Sequence, residues 1–297
     1  MSDTRTGAGR YRSVFRPDLF AGQAIIVTGG GSGIGRCTAH ELASLGAAIA
    51  LVGRKAEKLA AVQAEIAQDG GRATIHPCDI REEEGVKAAV AAILQAHGRI
   101  DGLVNNAGGQ FYAPLEAISQ KGWETVVRTN LTGGFLMARE SYAQWMRANG
   151  GAIVNIVADM WHGMPGMGHS GAARAGMVNF TMTAASEWGH AGVRVNAVAP
   201  GWIASSGFDS YPESVTPMLR SLKRNTPLQR IGTEAEVSAA IAFLLSPAAA
   251  FISGECLRVD GAAPNAKRHQ QLATAHRSPS PFQGFHRAKP VKALEEE

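Results

Sequence analysis

Two stretches of the chain put chemistry-bearing residues at spacings that a reaction could use. In HSGAARAGM, residues 169–177, Ser170 and Arg174 stand four apart, so on a helix both side chains share one face, with His169 just ahead of them. A hydroxyl there can donate a hydrogen bond and a guanidinium can hold developing negative charge, but neither group exchanges protons near neutrality. In TGGGSGIG, residues 28–35, glycines follow the apolar run QAIIVT and lead into a segment of helical length. Glycine at such a turn lets the backbone come close to a pyrophosphate, and the free N–H groups and dipole of the helix start favour its charge. One stretch reads as an anion cradle, the other as a site that can stabilise charge without giving up a proton.

The elements that must position these stretches are legible from hydropathy. Short apolar runs at 23–28, 47–52, 73–78, 100–106, 151–157, 193–200 and 255–260 read as strands, and alanine- and leucine-rich segments such as 34–46, 55–69, 82–97 and 233–246 read as helices. Strands alternating with helices predict an α/β fold: a single doubly wound Rossmann domain over residues 20–262, with a central parallel sheet of about seven strands and helices on both faces. Residues 1–19 form an N-terminal arm. The 205–227 stretch holds three prolines and no strand pattern, and is expected to be a short helical lid over a substrate. Residues 263–297, poor in apolar side chains, are expected to form a flexible tail.

Composition narrows the function classes. Apolar residues make up 45% of the chain and charged ones 18%, as in globular proteins. The net charge is +4, but residues 1–22 hold four Arg against two Asp, and 262–297 hold six Lys or Arg against three Glu. The basicity belongs to the ends, and no nucleic-acid footprint is expected on the body. Three separated cysteines, Cys37, Cys78 and Cys256, lack metal-ligand spacing, which predicts reduced thiols and no metal site. No signal-peptide pattern, membrane-span run or C-terminal peroxisomal address is visible, and the expected compartment is the cytoplasm.

The spacing G-x-x-x-G-x-G at Gly29, Gly33 and Gly35 is followed in order by Asp79-Ile80, NNAG at 105–108, TN at 129–130 and APG at 199–201. This series resembles the short-chain dehydrogenase/reductase family, over most of the chain. The resemblance implies that the turn with Gly29, Ser32, Gly33, Ile34 and Gly35 holds a dinucleotide pyrophosphate. It assigns Asp79 and Ile80 to the adenine, Asn106, Ala107 and Gly108 to the adjoining ribose region, and Pro200 and Gly201 to the nicotinamide. It also implies a homo-oligomer, dimer or tetramer, paired through the helices bearing Asn130 and Ser170. Charge then selects the cofactor. A carboxylate ending the second strand would accept from a ribose 2′-OH and repel a 2′-phosphate; LVGRKAEKL instead offers Gly53, Arg54 and Lys55, so NADP(H) is expected.

Most members of that family move the proton of a carbonyl reduction with a Tyr and a Lys spaced Y-x-x-x-K, aided by a Ser and an Asn. Aligned on RAGM at 174–177, this chain has Ser170 at the tyrosine, Arg174 at the lysine and Ala158 near the serine; only Asn130 is retained. None of Tyr11, Tyr112, Tyr142 and Tyr211 has a lysine four residues on, so no shifted pair takes over. Reduction of a carbon–carbon double bond beside a thioester asks less. Hydride adds to the β-carbon, and the protein has to hold donors toward the enolate oxygen, each worth roughly 3 kcal/mol. Asn130, Ser170, Arg174 and His169 are the expected catalytic residues, Arg174 also holding the nicotinamide ribose.

NNAGGQF (105–111), SQKGW (119–123), TNLTGGF (129–135), HSGAARAG (169–176), RIGTEAEV (230–237) and FLLSPAAAFISGE (243–255) resemble the peroxisomal trans-2-enoyl-CoA and 2,4-dienoyl-CoA reductase branch. There a serine recurrently replaces the helix tyrosine. That branch implies NADPH, acyl-CoA substrates and fatty acid metabolism; its dienoyl members keep a lysine where this chain has Arg174. Gln110 and Phe111 would border the substrate. Met160, Trp161, Met164 and Met167 either line an acyl pocket or pack under the lid. Two other readings stay open. One is a dehydrogenase of a terpenoid or fatty alcohol or of a 3-oxoacyl group, using His169 or Asp159 for proton transfer; the other is a nucleotide-binding protein with little or no turnover.

Overall fold

The computed structural model describes residues 9–205, 207–208, 216–266, 272, 279–291 and 294. Strands and helices alternate as β1 (Ala24–Thr28), α1 (Gly33–Ser44), β2 (Ala48–Gly53), α2 (Ala56–Gln68), β3 (Arg72–Pro77), α3 (Glu83–His97) and β4 (Gly102–Asn105). They continue through α4 (Gln120–Val127), α5 (Gly133–Ser141), α6 (Arg147–Asn149), β5 (Gly151–Ile156), α7 (Gly168–Trp188) and β6 (Val193–Pro200). The chain then passes β7 (Ile203–Ala204), α8 (Thr216–Asn225), β8 (Gly232–Thr233), α9 (Glu234–Leu245) and β9 (Cys256–Val259). Seven strands form one parallel sheet in the order β3-β2-β1-β4-β5-β6-β9. All seven expected strands are present; β1, β2, β4, β5 and β6 are apolar runs that the parallel sheet buries on both sides, while the edge strands β3 and β9 stay partly exposed.

The strand period sorts the core into two layers. Ile25 and Val27 face one side with Leu42, Ile49, Leu51 and Ile241 of the α1/α9 layer. Ile26 faces the other with Val90, Ile93, Leu103, Met137 and Ile153 of the α3/α5 layer. Helix ends carry their own signals. The left-handed Gly98 (φ 71°) ends α3, and a capping box of Thr233 and Glu236 opens α9. Helices α4, α5 and α6 run on from one another through π-helical turns at Arg128–Thr132 and Tyr142–Met146. The first of these turns carries Asn130, an extra-residue turn of the kind often found where a helix must aim a functional side chain.

Strand order reverses between β1 and β4, opening a crevice at the carboxyl ends of the two strands. The glycine turn after β1 and the Asn105–Gly108 stretch after β4 meet there. Among the described residues, no helix is long and apolar enough to cross a membrane.

One sequence expectation changes. The 263–297 tail is not loose throughout. Phe285 is buried against Tyr11, Cys37 and Ala235, and Arg287 grips Asp69 with contacts of 3.0 and 2.8 Å. One aromatic ring and a forked ion pair supply what the tail's overall composition lacks. Within the 205–227 lid, residues 216–225 are helical; residues 206 and 209–215 of that expectation lie outside the described residues.

Glu41 on α1 is fully buried and accepts hydrogen bonds from the Tyr11 hydroxyl (3.1 Å) and the Ser13 hydroxyl (3.0 Å). Burial nevertheless pushes its carboxyl from an ordinary 4.5 up to about 7. The folded chain therefore keeps a proton that the unfolded chain loses at lower pH, and stability falls as pH rises between those two values. Calorimetry at pH 5 and pH 8 will show a smaller drop in Tm for Glu41→Gln than for the wild type. Equal drops would contradict the assignment.

Candidate active site

The crevice is tied together by one hydroxyl. Thr28 at the end of β1 donates to the Val104 carbonyl (3.2 Å) and accepts from the backbone N–H groups of Asn106 (3.0 Å) and Ala107 (2.9 Å). The Asn106 amide returns a hydrogen bond to the Thr28 carbonyl (3.0 Å). Gly29 has φ 66°, and a Cβ there would stand 2.9 Å from Asn106 Nδ2. A Cβ on Gly35 would collide with the Gly29 carbonyl oxygen and with Asn106 Nδ2. These positions require glycine because two chain segments touch, and the touching leaves the start of α1 facing the crevice.

A groove of about 220 Å³ runs from this turn across Ser32, Arg54, Asp79, Ile80, Ala107 and Gly108, bringing seven of the expected cofactor residues together, Gly29 included. Gly33 and Gly35 shape the turn from outside that lining. Arg54, Lys55 and Lys58 add three cations along the groove, and among the described residues no carboxylate pairs with them in an ion bridge. Asp79 is held differently: the Arg81 guanidinium clasps it through Nε at 2.9 and 3.1 Å, and this hydrogen bonding draws its carboxyl down to about 2.

The groove joins a larger cleft of about 550 Å³ lined by Ile34, Asn106, Gly108, Gln110, Arg174, Pro200 and Gly201 among others. Arg174 reaches it from α7, buried, and donates to the Ile156 carbonyl at the end of β5 (2.6 Å). No carboxylate among the described residues forms an ion pair with it, and its Nε is buried without a partner. Burial lowers the guanidinium to about 10, which leaves it charged at neutral pH. Asn130 exchanges two hydrogen bonds with Gly109, receiving from its N–H (2.9 Å) and giving to its carbonyl (3.0 Å). A Cβ on Gly108 would lie 2.9 Å from Asn130 Oδ1 and collide with the Arg174 guanidinium. Asn130, Arg174 and the 108–109 backbone are thus packed as one unit.

Ser170 and His169 are fully buried and are not among the residues that line the cleft. The Ser170 hydroxyl donates over a long 3.4 Å to the Gln110 side chain, which does line it. His169 Nδ1 accepts from the Ser170 N–H (2.9 Å), and its ring meets Phe111 edge to face at 4.4 Å. Of the methionine cluster, Met164 and Met167 line the cleft, while Trp161 instead lies under the Arg258 guanidinium, 4.4 Å from its ring centroid. Asp159 is the one carboxylate among the described lining residues; burial first, then the neighbouring Asp260, raises its carboxyl.

Sequence reasoning missed Lys58 and Arg81 in the groove and Trp202, Ile203 and Phe208 in the cleft. Lys58 was within reach, since it stands three residues after Lys55 and so on the same helix face. The wall residues follow APG in the chain but carry no pattern of their own. The residues present fit a dinucleotide: a cradle that any Cβ would fill, a cationic groove, and an orphaned donor on Arg174 at the junction.

Comparison with known proteins agrees with this geometry. A family model described as enoyl-(acyl carrier protein) reductase matches residues 29–262. A probable 2,4-dienoyl-CoA reductase of Bacillus subtilis is 37% identical over 243 residues, covering 80% of this chain and 95% of the relative. The chain belongs to the short-chain dehydrogenase/reductase family. A peroxisomal 2,4-dienoyl-CoA reductase of Danio rerio is 35% identical, covering 86% of this chain and 85% of that one. A solved structure, the citronellol catabolism dehydrogenase AtuB of Pseudomonas aeruginosa, is 65% identical with a TM-score of 0.78, covering 85% of this chain and 99% of its own. The protein is therefore an oxidoreductase of a family whose members bind NAD(P)(H), and the sequence expectation of that family and its Rossmann fold holds.

Removing the Thr28 hydroxyl leaves the part-buried Ala107 N–H without its acceptor. Thr28→Val will cost about 1–3 kcal/mol in urea unfolding, whereas Thr28→Ser will retain most of the stability. Equal losses in the two variants would show that the methyl, not the hydroxyl, matters.

Proposed function

We propose that this short-chain oxidoreductase reduces the conjugated double bond of α,β-unsaturated acyl-CoA thioesters with NADPH. The observation that carries the proposal is the make-up of the cleft: a buried, carboxylate-free guanidinium at its base and no Tyr or Lys among the described residues that line it. When bound, the dinucleotide supplies hydride. Arg174 holds positive charge toward the oxygen on which negative charge gathers, where burial makes each donor worth roughly 3 kcal/mol. Asn130 fixes the Gly109 backbone, Ser170 orients the Gln110 side chain at the cleft border, and His169 supports Phe111. A proton from water completes the α-carbon, and Asp159, its carboxyl raised by burial, stands beside the cleft. Met164, Met167, Trp202 and Phe208 offer an apolar wall to an acyl chain. Self-association through α5 and α7, which expose Phe135 and Met182, belongs to the same reading.

The choice of NADPH rests on Arg54, Lys55 and Lys58, which offer a 2′-phosphate three cations, while Asp79, the one carboxylate among the described residues lining the groove, is clasped by Arg81. Arg54→Ala will raise KM for NADPH about tenfold and leave KM for NADH nearly unchanged. A parallel loss for both cofactors would overturn the choice.

A second reading, oxidation of an acyclic terpenoid alcohol, is favoured by the name of the 65% identical relative. Asp159 would then take the alcohol proton. Stopped-flow assays separate the readings. Oxidation of NADPH with crotonyl-CoA and decenoyl-CoA, and no reduction of NADP⁺ or NAD⁺ with citronellol, is the expected result. Brisk citronellol oxidation with inert thioesters would establish the second reading. Tight NADPH binding with neither turnover would indicate a nucleotide-binding protein.

A further inference from the structure

The C-terminal segment lies outside the family-matched span, yet it is fastened at two distant places. Its first anchor is on the nucleotide-side helices. Phe285, 2% exposed, sits 5.1 Å from the His40 ring and 4.9 Å from the Arg36 guanidinium. Around it the backbone is pinned from both sides: Arg12 N–H donates to the Gly284 carbonyl (2.9 Å), and the Thr233 hydroxyl donates to the Phe282 carbonyl (2.7 Å). Arg287 then closes on Asp69. Its second anchor is apolar. Val291, 8% exposed, joins Phe208 and Leu222 in a buried cluster against which Trp202, Ala204, Ile231 and Leu294 pack.

Between the anchors the segment passes over a cavity of about 260 Å³, with Ala204, Thr233 and Glu234 on one side and Lys289, Pro290 and Val291 on the other. Contact is thus concentrated at the two ends, as in a strap. The second anchor matters because Trp202 and Phe208 have two faces. One pair of faces lines the substrate cleft, and the other packs in the Val291 cluster. The two rings meet edge to face with centroids 6.1 Å apart. Among the described residues 201–208 the only strand is the two-residue β7, so the position of Phe208 depends on what backs it.

We propose that residues 282–291 are a strap that presses the Trp202 and Phe208 wall onto the substrate cleft, making Val291 a positioning residue that sets how long an apolar chain the site accepts. The strap itself is independent of the reaction; naming its effect on a chain rests on the acyl reading above.

The test uses full-length protein. Hydrogen exchange is followed in peptides covering 203–208 and 216–225, and KM is measured for crotonyl-CoA and decenoyl-CoA alongside NADPH affinity. Val291→Asp should speed exchange in both peptides about tenfold. It should raise KM for the longer thioester about fivefold while KM for crotonyl-CoA and NADPH affinity change little; Val291→Ile should behave as wild type. Phe285→Ala, at the far anchor, should give the same exchange pattern, and serves where Val291→Asp does not fold. Unchanged exchange in Phe285→Ala and Val291→Asp overturns the strap, as does an equal loss of affinity for NADPH and both thioesters. Faster exchange in a protein that turns over no thioester sustains the strap and overturns only the acyl reading.

Discussion

A guanidinium buried without a carboxylate is the constraint around which this site is organised. Taking Arg174 out of water is unfavourable unless its donors find acceptors. The fold provides one, the Ile156 carbonyl at 2.6 Å, and leaves Nε without any. That residual demand is a property of the folded protein before any ligand arrives. It sets positive charge against a cleft whose remaining walls are mostly backbone and apolar side chains. A lysine at the same place could move and could titrate, whereas arginine is planar, stays charged, and holds its direction.

The surroundings of Arg174 are correspondingly inflexible. Gly108 has no room for a side chain between the guanidinium and Asn130. Asn130 locks Gly109 by a reciprocal pair of hydrogen bonds, and the π-helical turn that presents it sits between two regular helices. On the other side of β4, Asn105 bonds Asn155, and Asn155 bonds Thr181 of α7 (3.0 and 2.9 Å). This buried polar chain ties two central strands to the helix that carries Arg174, so the cation and the nucleotide crevice are parts of one rigid body. The substrate side is built by other means. Its wall depends on two aromatic rings in short connections, backed by a segment from the far end of the chain.

How much of this could be read beforehand follows from the range of each interaction. The five inner strands were legible because parallel strands buried on both faces are continuous apolar runs. The glycine turn was legible because its requirement is local and steric. Arg54 and Lys55 were legible because they follow directly on β2. Ser170 is expected among the catalytic residues, and in the fold its hydroxyl donates to Gln110 at the cleft; helical spacing says which side chains share a face but not what stands in front of them. The tail was read as loose because its average composition is polar, while its attachment rests on a single ring, Phe285, and on one ion pair that joins residues 218 positions apart.

The amino-acid sequence by itself determined the alternation of strands and helices, the anion-cradling turn, the cationic end of β2, and the loss of a phenol and amine from the reactive helix. Each is a matter of which residue follows which within a few positions, and short-range sterics and charge act at that scale. Only the tertiary structure decided that Arg174 meets no counter-ion among the described residues, that Asn130 and Gly108 share its space, that Trp202 and Phe208 form the cleft wall, and that the tail backs them. Those outcomes depend on which distant segments a crossover or a closing loop brings within a few ångströms, and burial, which sets their energies, exists only once the chain is packed.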